Sequence, residues 1–127
     1  DRGSRVPLLV SWPGKIKSGS QCDDLVELAD FLPTFLELAS APEPKQSIDG
    51  TSFLPQLLGK KGLPNEWVHI EYVKNRQIRN KEWTYTNKGD LIKVNQLGRP
   101  ENRREKISDH VKVRKEMKSI LHSINLK

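Results

Sequence analysis

Cysteine is nearly absent from this sequence, and its scarcity excludes two common ways of stabilising a small domain. The 127 residues contain one cysteine, Cys22. A single cysteine cannot form an internal disulfide, and no thiolate cluster is present to hold a structural zinc ion. The single cysteine leaves the redox compartment open.

Long hydrophobic runs are missing as well. No apolar stretch approaches the ~20 residues that a membrane-spanning helix needs, so no membrane partner is expected. The chain starts with Asp1-Arg-Gly-Ser and shows no signal-peptide pattern. Hydrophobic residues make up 35% of the chain and aromatic residues 6%. These apolar residues are grouped in clusters, which predicts a folded core and not a disordered chain.

Acidic residues become scarce towards the end of the sequence. Residues 1–92 carry 12 Lys and Arg against 12 Asp and Glu, whereas residues 93–127 carry 10 against 4. The last third therefore supplies the whole net charge of +6. Such a basic segment can bind a polyanion or simply keep a helix solvated. It has no aromatic residue to stack on bases, so no nucleic-acid partner is expected.

The first half of the chain predicts one buried strand and two helices. Residues 6–12 form a short apolar run that ends at Pro13-Gly14, typical of a strand buried on both faces. Residues 25–39 have helical periodicity, with Asp30 placed as the N-terminal cap and Pro33 in the first turn. The apolar stripe of this helix is Phe31, Phe35 and Leu38, widened by Leu32 and Leu36.

A second, shorter helix is predicted after a turn at residues 48–50. Thr51 or Ser52 is placed to cap it, and Gly59 to end it after Leu58. Beyond Pro64 the pattern becomes strand-like. Runs at residues 67–73, 76–79, 83–86 and 91–94 alternate with polar turns and predict an antiparallel meander.

A helix is expected to close the chain. It follows a polar stretch that contains Gly98 and Pro100, and it begins at Ser108. Its apolar positions at helical spacing are Val111, Met117, Ile120, Leu121 and Ile124. The predicted class is α+β, a small antiparallel sheet with packed helices.

Four segments, in order, resemble the sulfatase family. Residues 5–16 (RVPLLVSWPGKI) are similar to the family's R-V-P-hydrophobic-W-P-G-K segment, and residues 25–39 (LVELADFLPTFLELA) to its D-hydrophobic-hydrophobic-P-T helix. Residues 49–59 (DGTSFLPQLLG) resemble its D-G-x-S turn and helix, and the pair RQIR at 76–79 with EWTY at 82–85 resembles its C-terminal R-x-I-R and W-K-Y hairpin. Residues 91–94 (LIKV) and 99–102 (RPEN) depart from the pattern.

This resemblance implies the C-terminal part of an alkaline-phosphatase-like α/β fold that hydrolyses sulfate esters. Residues 1–64 then correspond to the end of the catalytic domain, and residues 65–127 to a small C-terminal domain. The family uses a formylglycine nucleophile, made from a C/S-x-P-x-R motif, and a calcium ion. Cys22 lies in Cys-Asp-Asp-Leu-Val, outside any such motif. The nucleophile and calcium are therefore expected upstream, and the isolated chain is expected to be inactive.

Two polar side chains alternate along the strand predicted at residues 67–73. His69 and Glu71 are two residues apart, so they point to one face. They can hydrogen-bond a substrate or leaving group, or form the polar outer face of a one-sided sheet. Arg76 and Arg79 can bind a sulfate, or make surface ion pairs. The substrate-binding candidates are His69, Glu71 and Arg76; no catalytic residue or metal ligand is assigned.

Three tryptophans and two histidines are the remaining residues with a candidate role. Trp12, Trp67 and Trp83 can stack on a sugar ring or pack in the core. His110 and His122, on the last helix, are expected to face solvent.

Three functions remain open at this point. The leading one is a sulfatase acting on a sulfated small molecule or glycan, with periplasmic or secreted localisation by family analogy. The second is a non-catalytic module that binds a polyanion through the basic tail. The third is a phosphodiesterase or phosphoglycerol transferase of the same superfold. The sequence does not define an oligomeric state.

Overall fold

A computed structural model describes residues 5–42, 44–95, 100–105 and 110–124, with the backbone alone at 100–105. The chain divides into two compact units. The first, here the N-terminal unit, is Pro7–Asn65; the second, the C-terminal unit, comprises Asp1–Val6 and Glu66–Lys127. That these units correspond to the two sulfatase domains stays a prediction.

The N-terminal unit contains a 3₁₀ turn and two helices. The turn is Leu28–Asp30, and it runs into α1, Phe31–Leu38; α2 is Leu54–Leu57. The helical segment starts after Leu25, later than predicted, because Leu25 pairs as an antiparallel bridge with Asn65. The predicted end near Ser40 is confirmed, since Ser40 takes a left-handed φ of 49° and Pro42 follows.

The predicted cap of α2 is wrong by one to two residues. Phe53 occupies the N-cap position and makes no side-chain cap. The Ser52 hydroxyl instead accepts a hydrogen bond from the Leu54 N–H at 3.2 Å. Leu58 is the C-cap residue of α2, and Gly59 follows it. Gly59 has φ of 70°, a conformation that glycine adopts without strain.

The predicted apolar stripe of α1 is largely exposed. Phe31 packs edge-to-face on Phe53 with ring centroids 5.3 Å apart, but Phe35 is 59% exposed and Leu32 51%. The buried residue of the helix is Thr34. The stripe lacks a cover within this unit because α2, which has 4 residues, is too short to provide one.

The strand predicted at residues 6–12 is not formed. These residues have no assigned strand, and Leu9 is 92% exposed. A buried strand depends on neighbours that supply hydrogen bonds and apolar cover, and the described residues pair none with it. The turn that follows is present: the Trp12 carbonyl accepts bonds from the N–H groups of Lys15 and Ile16, each at 3.0 Å.

The C-terminal unit is built on a five-stranded antiparallel sheet in the order β1-β2-β3-β4-β5. The strands are β1 Val68–Tyr72, β2 Asn75–Arg79, β3 Trp83–Thr86, β4 Leu91–Val94 and β5 Pro100–Glu105. The four predicted strands are confirmed. The fifth strand was not predicted, since its sequence is part of a polar stretch. It lies at the sheet edge, where charged residues and a leading proline are tolerated.

One helix, α3 at Val111–Ile124, packs against β2 and β3. Met117 and Leu121 enter a core formed with sheet residues Ile78, Trp83, Tyr85 and Leu91. These contacts confirm the α+β class. The start predicted at Ser108 lies outside the described residues.

The apolar face predicted for α3 is wrong at one position. Val111 is 63% exposed, and Val113 packs against the core in its place. The reason is helical geometry. Val113 is one turn before Met117 and shares its side, whereas Val111, six residues before Met117, lies about 120° away around the helix axis.

Candidate functional site

The candidate site begins with two side chains on β1. His69 and Glu71 lie on one face of the strand, as their alternation predicts, with His69 Nε2 3.9 Å from Glu71 Oε2. The His69 side chain is 22% exposed and the Glu71 side chain 53%. Glu71 is accessible to a ligand, whereas the Nε2 atom of the half-buried His69 is buried.

The register of the first hairpin adds Arg76. Glu71 pairs directly with Arg76, and His69 with Ile78. Directly opposed residues of antiparallel strands project to the same face. The sheet therefore brings His69, Glu71 and Arg76 together into what we call the β1–β2 patch. Arg76 forms no ion pair with an acidic residue in the described ranges.

The face that carries this patch is not the polar outer face of a one-sided sheet. Ile78, opposite His69, is fully buried in the core beneath α3. Polar groups at an edge of an otherwise apolar face can bind a ligand while the neighbouring core fixes their backbone. The substrate-binding role of the three residues stays a prediction.

Arg79 does not join Arg76. The two are three residues apart on one strand, so they project to opposite faces. Arg79 is 9% exposed. Burial, and then the positive charge of Arg5, lower its pKa. The two arginines therefore do not bind one anion together.

A buried carboxylate organises the N-terminal unit. Asp30 is 1% exposed. Its Oδ2 accepts hydrogen bonds from the Glu27 N–H at 2.8 Å and the Asn65 side-chain amide at 2.7 Å, and its Oδ1 accepts one from the Thr51 N–H at 2.8 Å. Three N–H donors offset the cost of burying the charge. Asp30 is at the N-cap position of α1 but does not cap that helix with its side chain.

Thr34 continues this network one turn later. Its hydroxyl donates to the Asp30 carbonyl at 2.6 Å and accepts from the Phe53 N–H at 3.0 Å. The D-F-L-P-T segment, residues 30–34, thereby accepts hydrogen bonds from the backbone of the D-G-T-S-F segment, residues 49–53. Both sulfatase-like motifs are thus structural, and sequence reasoning, which treated Asp30 as a helix cap, missed their mutual contact.

A cavity of about 310 Å³ lies between the sheet and α3 in the C-terminal unit. Its lining residues are Glu66, Trp67, Ile78, Asn80, Glu82, Trp83, Val113, Glu116, Met117 and Ile120. Trp83 belongs to the core and packs on the His110 ring, with centroids 4.5 Å apart. His110 and His122 are both exposed, as predicted. His110 also contacts the sheet through Trp83.

The described residues do not fit a resident metal ion, because they contain no group of three or more His, Cys, Asp or Glu able to hold one. Cys22 is exposed and free. The sequence holds no C/S-x-P-x-R motif. Among the helices of the described ranges, none has the length and apolar character that a bilayer crossing requires.

Comparison with known proteins identifies the class as sulfatase. The chain is 35% identical to the ulvan-active sulfatase of Formosa agariphila over 113 residues, which covers 79% of this chain and 22% of the relative. It is 35% identical to chicken (Gallus gallus) arylsulfatase K over 104 residues, 72% of this chain and 19% of the relative. It is 41% identical to human (Homo sapiens) steryl-sulfatase over 93 residues, which covers 72% of this chain and 16% of the relative.

A family model makes the assignment specific. Residues 1–126 match the family described as N-sulphoglucosamine sulphohydrolase, C-terminal. The chain therefore belongs to this family and is a C-terminal portion of a sulfatase. It spans about a fifth of the length of the curated relatives it matches.

Proposed function

We propose that this chain is the C-terminal part of an enzyme that hydrolyses sulfate esters of a small molecule or glycan. The match to the family over residues 1–126 carries the proposal. The chain itself lacks the C/S-x-P-x-R motif, and the described residues offer no metal-binding group. The formylglycine nucleophile and calcium site would lie elsewhere in the parent protein, and the isolated chain would be inactive.

The exposed apolar surface of the N-terminal unit supports this division. The segment at residues 8–12 exposes Leu8, Leu9, Val10 and Trp12. The turn before α1 and the helix itself expose Leu28, Leu32 and Phe35. Apolar surface on this scale is typical of an interface. In the proposed enzyme, the rest of the catalytic domain covers it.

The β1–β2 patch supplies the proposed substrate contacts. The Arg76 guanidinium offers a planar set of donors that suits a sulfate or carboxylate. The Glu71 carboxylate can accept a hydrogen bond from a hydroxyl group of the leaving alcohol, and the His69 ring can donate or accept one. Their proposed role is to bind and orient the substrate, and the chemistry of S–O cleavage belongs to the formylglycine and the cation when these are present.

Sequencing the DNA upstream of the codon for Asp1 tests the proposal first. An in-frame C/S-x-P-x-R motif is expected. The full reading frame, expressed with a formylglycine-generating enzyme, should release sulfate from an aryl sulfate, while the purified chain should release none. Turnover by the chain alone would contradict its proposed inactivity. Phosphate release from a phosphodiester by the full protein, without sulfate release, would overturn the sulfatase assignment in favour of the phosphodiesterase alternative.

A further inference from the structure

The exposed face of α3 carries a row of lysines. Lys112, Lys115 and Lys118 follow one another at intervals of three residues, and all three are exposed. Residues three apart lie on neighbouring positions of one helix side. We call these residues the lysine stripe. All three belong to the basic tail, residues 93–127.

The opposite face of α3 holds the stripe in place. Met117 and Leu121 are buried in the core. The Arg114 guanidinium donates to the Gly89 carbonyl in the β3–β4 turn at 2.7 Å. The helix is therefore fixed at its apolar side and at one polar contact. Successive lysines are spaced by about 4.5 Å along the axis, from a rise of about 1.5 Å per residue.

Little negative charge within α3 offsets the stripe. None of the three lysines makes an ion pair with an acidic residue in the part of the chain that the structure describes. Glu116 is the one acidic residue within Val111–Ile124, and it lines the cavity beside Trp83. The stripe therefore projects positive potential over roughly a Debye length, about 8 Å at physiological ionic strength.

We propose that the lysine stripe is a docking surface for a sulfated polysaccharide, separate from the β1–β2 patch. This inference rests on the proposed function, because a sulfatase whose substrate is a polymer gains from a second contact that retains the chain between cleavages. Lysines act as point charges on flexible stems and need no fixed ligand geometry. They therefore suit a flexible polymer with repeated anionic groups.

The same surface fits nucleic acid less well. Binding to single strands combines positive charge with aromatic side chains that stack on bases. Residues 93–127 contain no Phe, Trp or Tyr. A sulfated glycan needs the charge and not the rings, so the observations favour the glycan.

A charge-matched pair of variants tests the proposal on the purified chain. The first variant carries Lys112→Gln, Lys115→Gln and Lys118→Gln. The control carries Lys15→Gln, Lys17→Gln and Lys60→Gln, three exposed lysines of the N-terminal unit. Both lose the same net charge, and glutamine keeps a helix propensity close to that of lysine. Circular dichroism checks that α3 is intact.

Binding to dextran sulfate is measured at several salt concentrations, with uncharged dextran and duplex DNA as comparison ligands. The stripe variant should lose about tenfold or more in affinity at low salt, and the slope of log K against log[salt] should fall by about two to three. The control should lose less than threefold. Uncharged dextran should not bind.

Two outcomes would overturn the proposal. An equal loss in both variants would mean that net charge, and not the stripe, determines binding. Tighter binding to duplex DNA than to dextran sulfate, at equal concentration of anionic groups, would assign the surface to nucleic acid. A parent protein that releases no sulfate would contradict the proposed function but leave this binding comparison intact, so the two failures are distinguishable.

Discussion

Asp30 and Asn65, 35 positions apart, meet through a 2.7 Å hydrogen bond from the Asn65 side-chain amide to Asp30 Oδ2. With the contacts of Asp30 to Glu27 and Thr51, this bond joins the start of the helical segment, the turn before α2 and the C-terminal end of the N-terminal unit. A buried carboxylate with three donors determines how the loops pack around α1.

Replacing this carboxylate by an amide should destabilise the protein. Asp30→Asn keeps the shape but replaces one acceptor oxygen with an NH₂ group that faces an N–H donor. We expect a loss of about 3 kcal/mol in the free energy of unfolding, because a buried charged network loses acceptors. Urea denaturation followed by circular dichroism measures it.

Asp49→Asn is the matched control, since Asp49 is exposed. It should change the unfolding free energy by less than about 0.5 kcal/mol. Equal effects of the two substitutions would show that the Asp30 network does not stabilise the fold.

The sequence predicts a segment of this fold well when its partners are close in sequence, and poorly when they are distant. The strands β1 to β4 were predictable because alternation and turn residues specify each hairpin. The segment at residues 6–12 was not, since a strand buried on both faces exists only with neighbours, and Leu9 is exposed. β5 was missed because an edge strand can be polar. The stripe of α1 has the predicted helical spacing, yet Leu32 and Phe35 are exposed.

The candidate site was predictable only in part. Alternation places His69 and Glu71 on one face without knowledge of the fold. That Arg76 stands opposite Glu71 depends on the turn formed by Val73 and Lys74, one residue earlier than the gap at residues 74–75 between the two predicted strands. A shift of one residue in that turn places Arg76 opposite Val73 but leaves it on the face of His69 and Glu71, because moving a two-residue turn by one position changes the register by two residues. The Asp30 network was missed because its partners are distant in sequence.

Gly50 should be intolerant of a side chain. It has φ of 93°, and a Cβ there would lie 2.8 Å from the Asp30 nitrogen and closer still to the Ala29 carbonyl. Gly50→Ala therefore combines the cost of a left-handed conformation, about 1–2 kcal/mol, with a backbone overlap. We expect a total loss of about 3 kcal/mol by urea denaturation.

Gly14→Ala separates the two contributions. Gly14 has φ of 79°, and a Cβ at this position would meet no atom within 4 Å. This variant should lose only about 1–2 kcal/mol. If Gly50→Ala costs no more than Gly14→Ala, the close approach to Ala29 is not a constraint.

The turn between β1 and β2 contains a strained residue whose replacement should stabilise the protein. Val73 is 75% exposed and has φ of 56°, which is unfavourable for a β-branched side chain. Asparagine tolerates this region, so Val73→Asn should raise the unfolding free energy by about 1 kcal/mol. Val73→Thr keeps the β-branch and should give little change. A stabilisation by threonine as large as that by asparagine would point to side-chain polarity instead of backbone strain.

Arg76 gives the sharpest test of the β1–β2 patch in the full-length enzyme. If its guanidinium binds the substrate anion, Arg76→Gln should raise KM by about tenfold, which matches the loss of a charge-assisted hydrogen bond worth about 1.4 kcal/mol. The value of kcat should change less, since the bond is made in the ground state as well as in the transition state. Steady-state kinetics with an aryl sulfate measures both.

Lys74→Gln is the matched control for Arg76, because Lys74 is an exposed cation in the turn of the same hairpin. It removes the same charge two residues away and should leave KM within about twofold, since screening weakens exposed charges. A similar rise in KM for both variants would assign the effect to the general field of the hairpin. An unchanged KM in Arg76→Gln would remove Arg76 from the substrate site and leave it as a surface residue opposite Glu71.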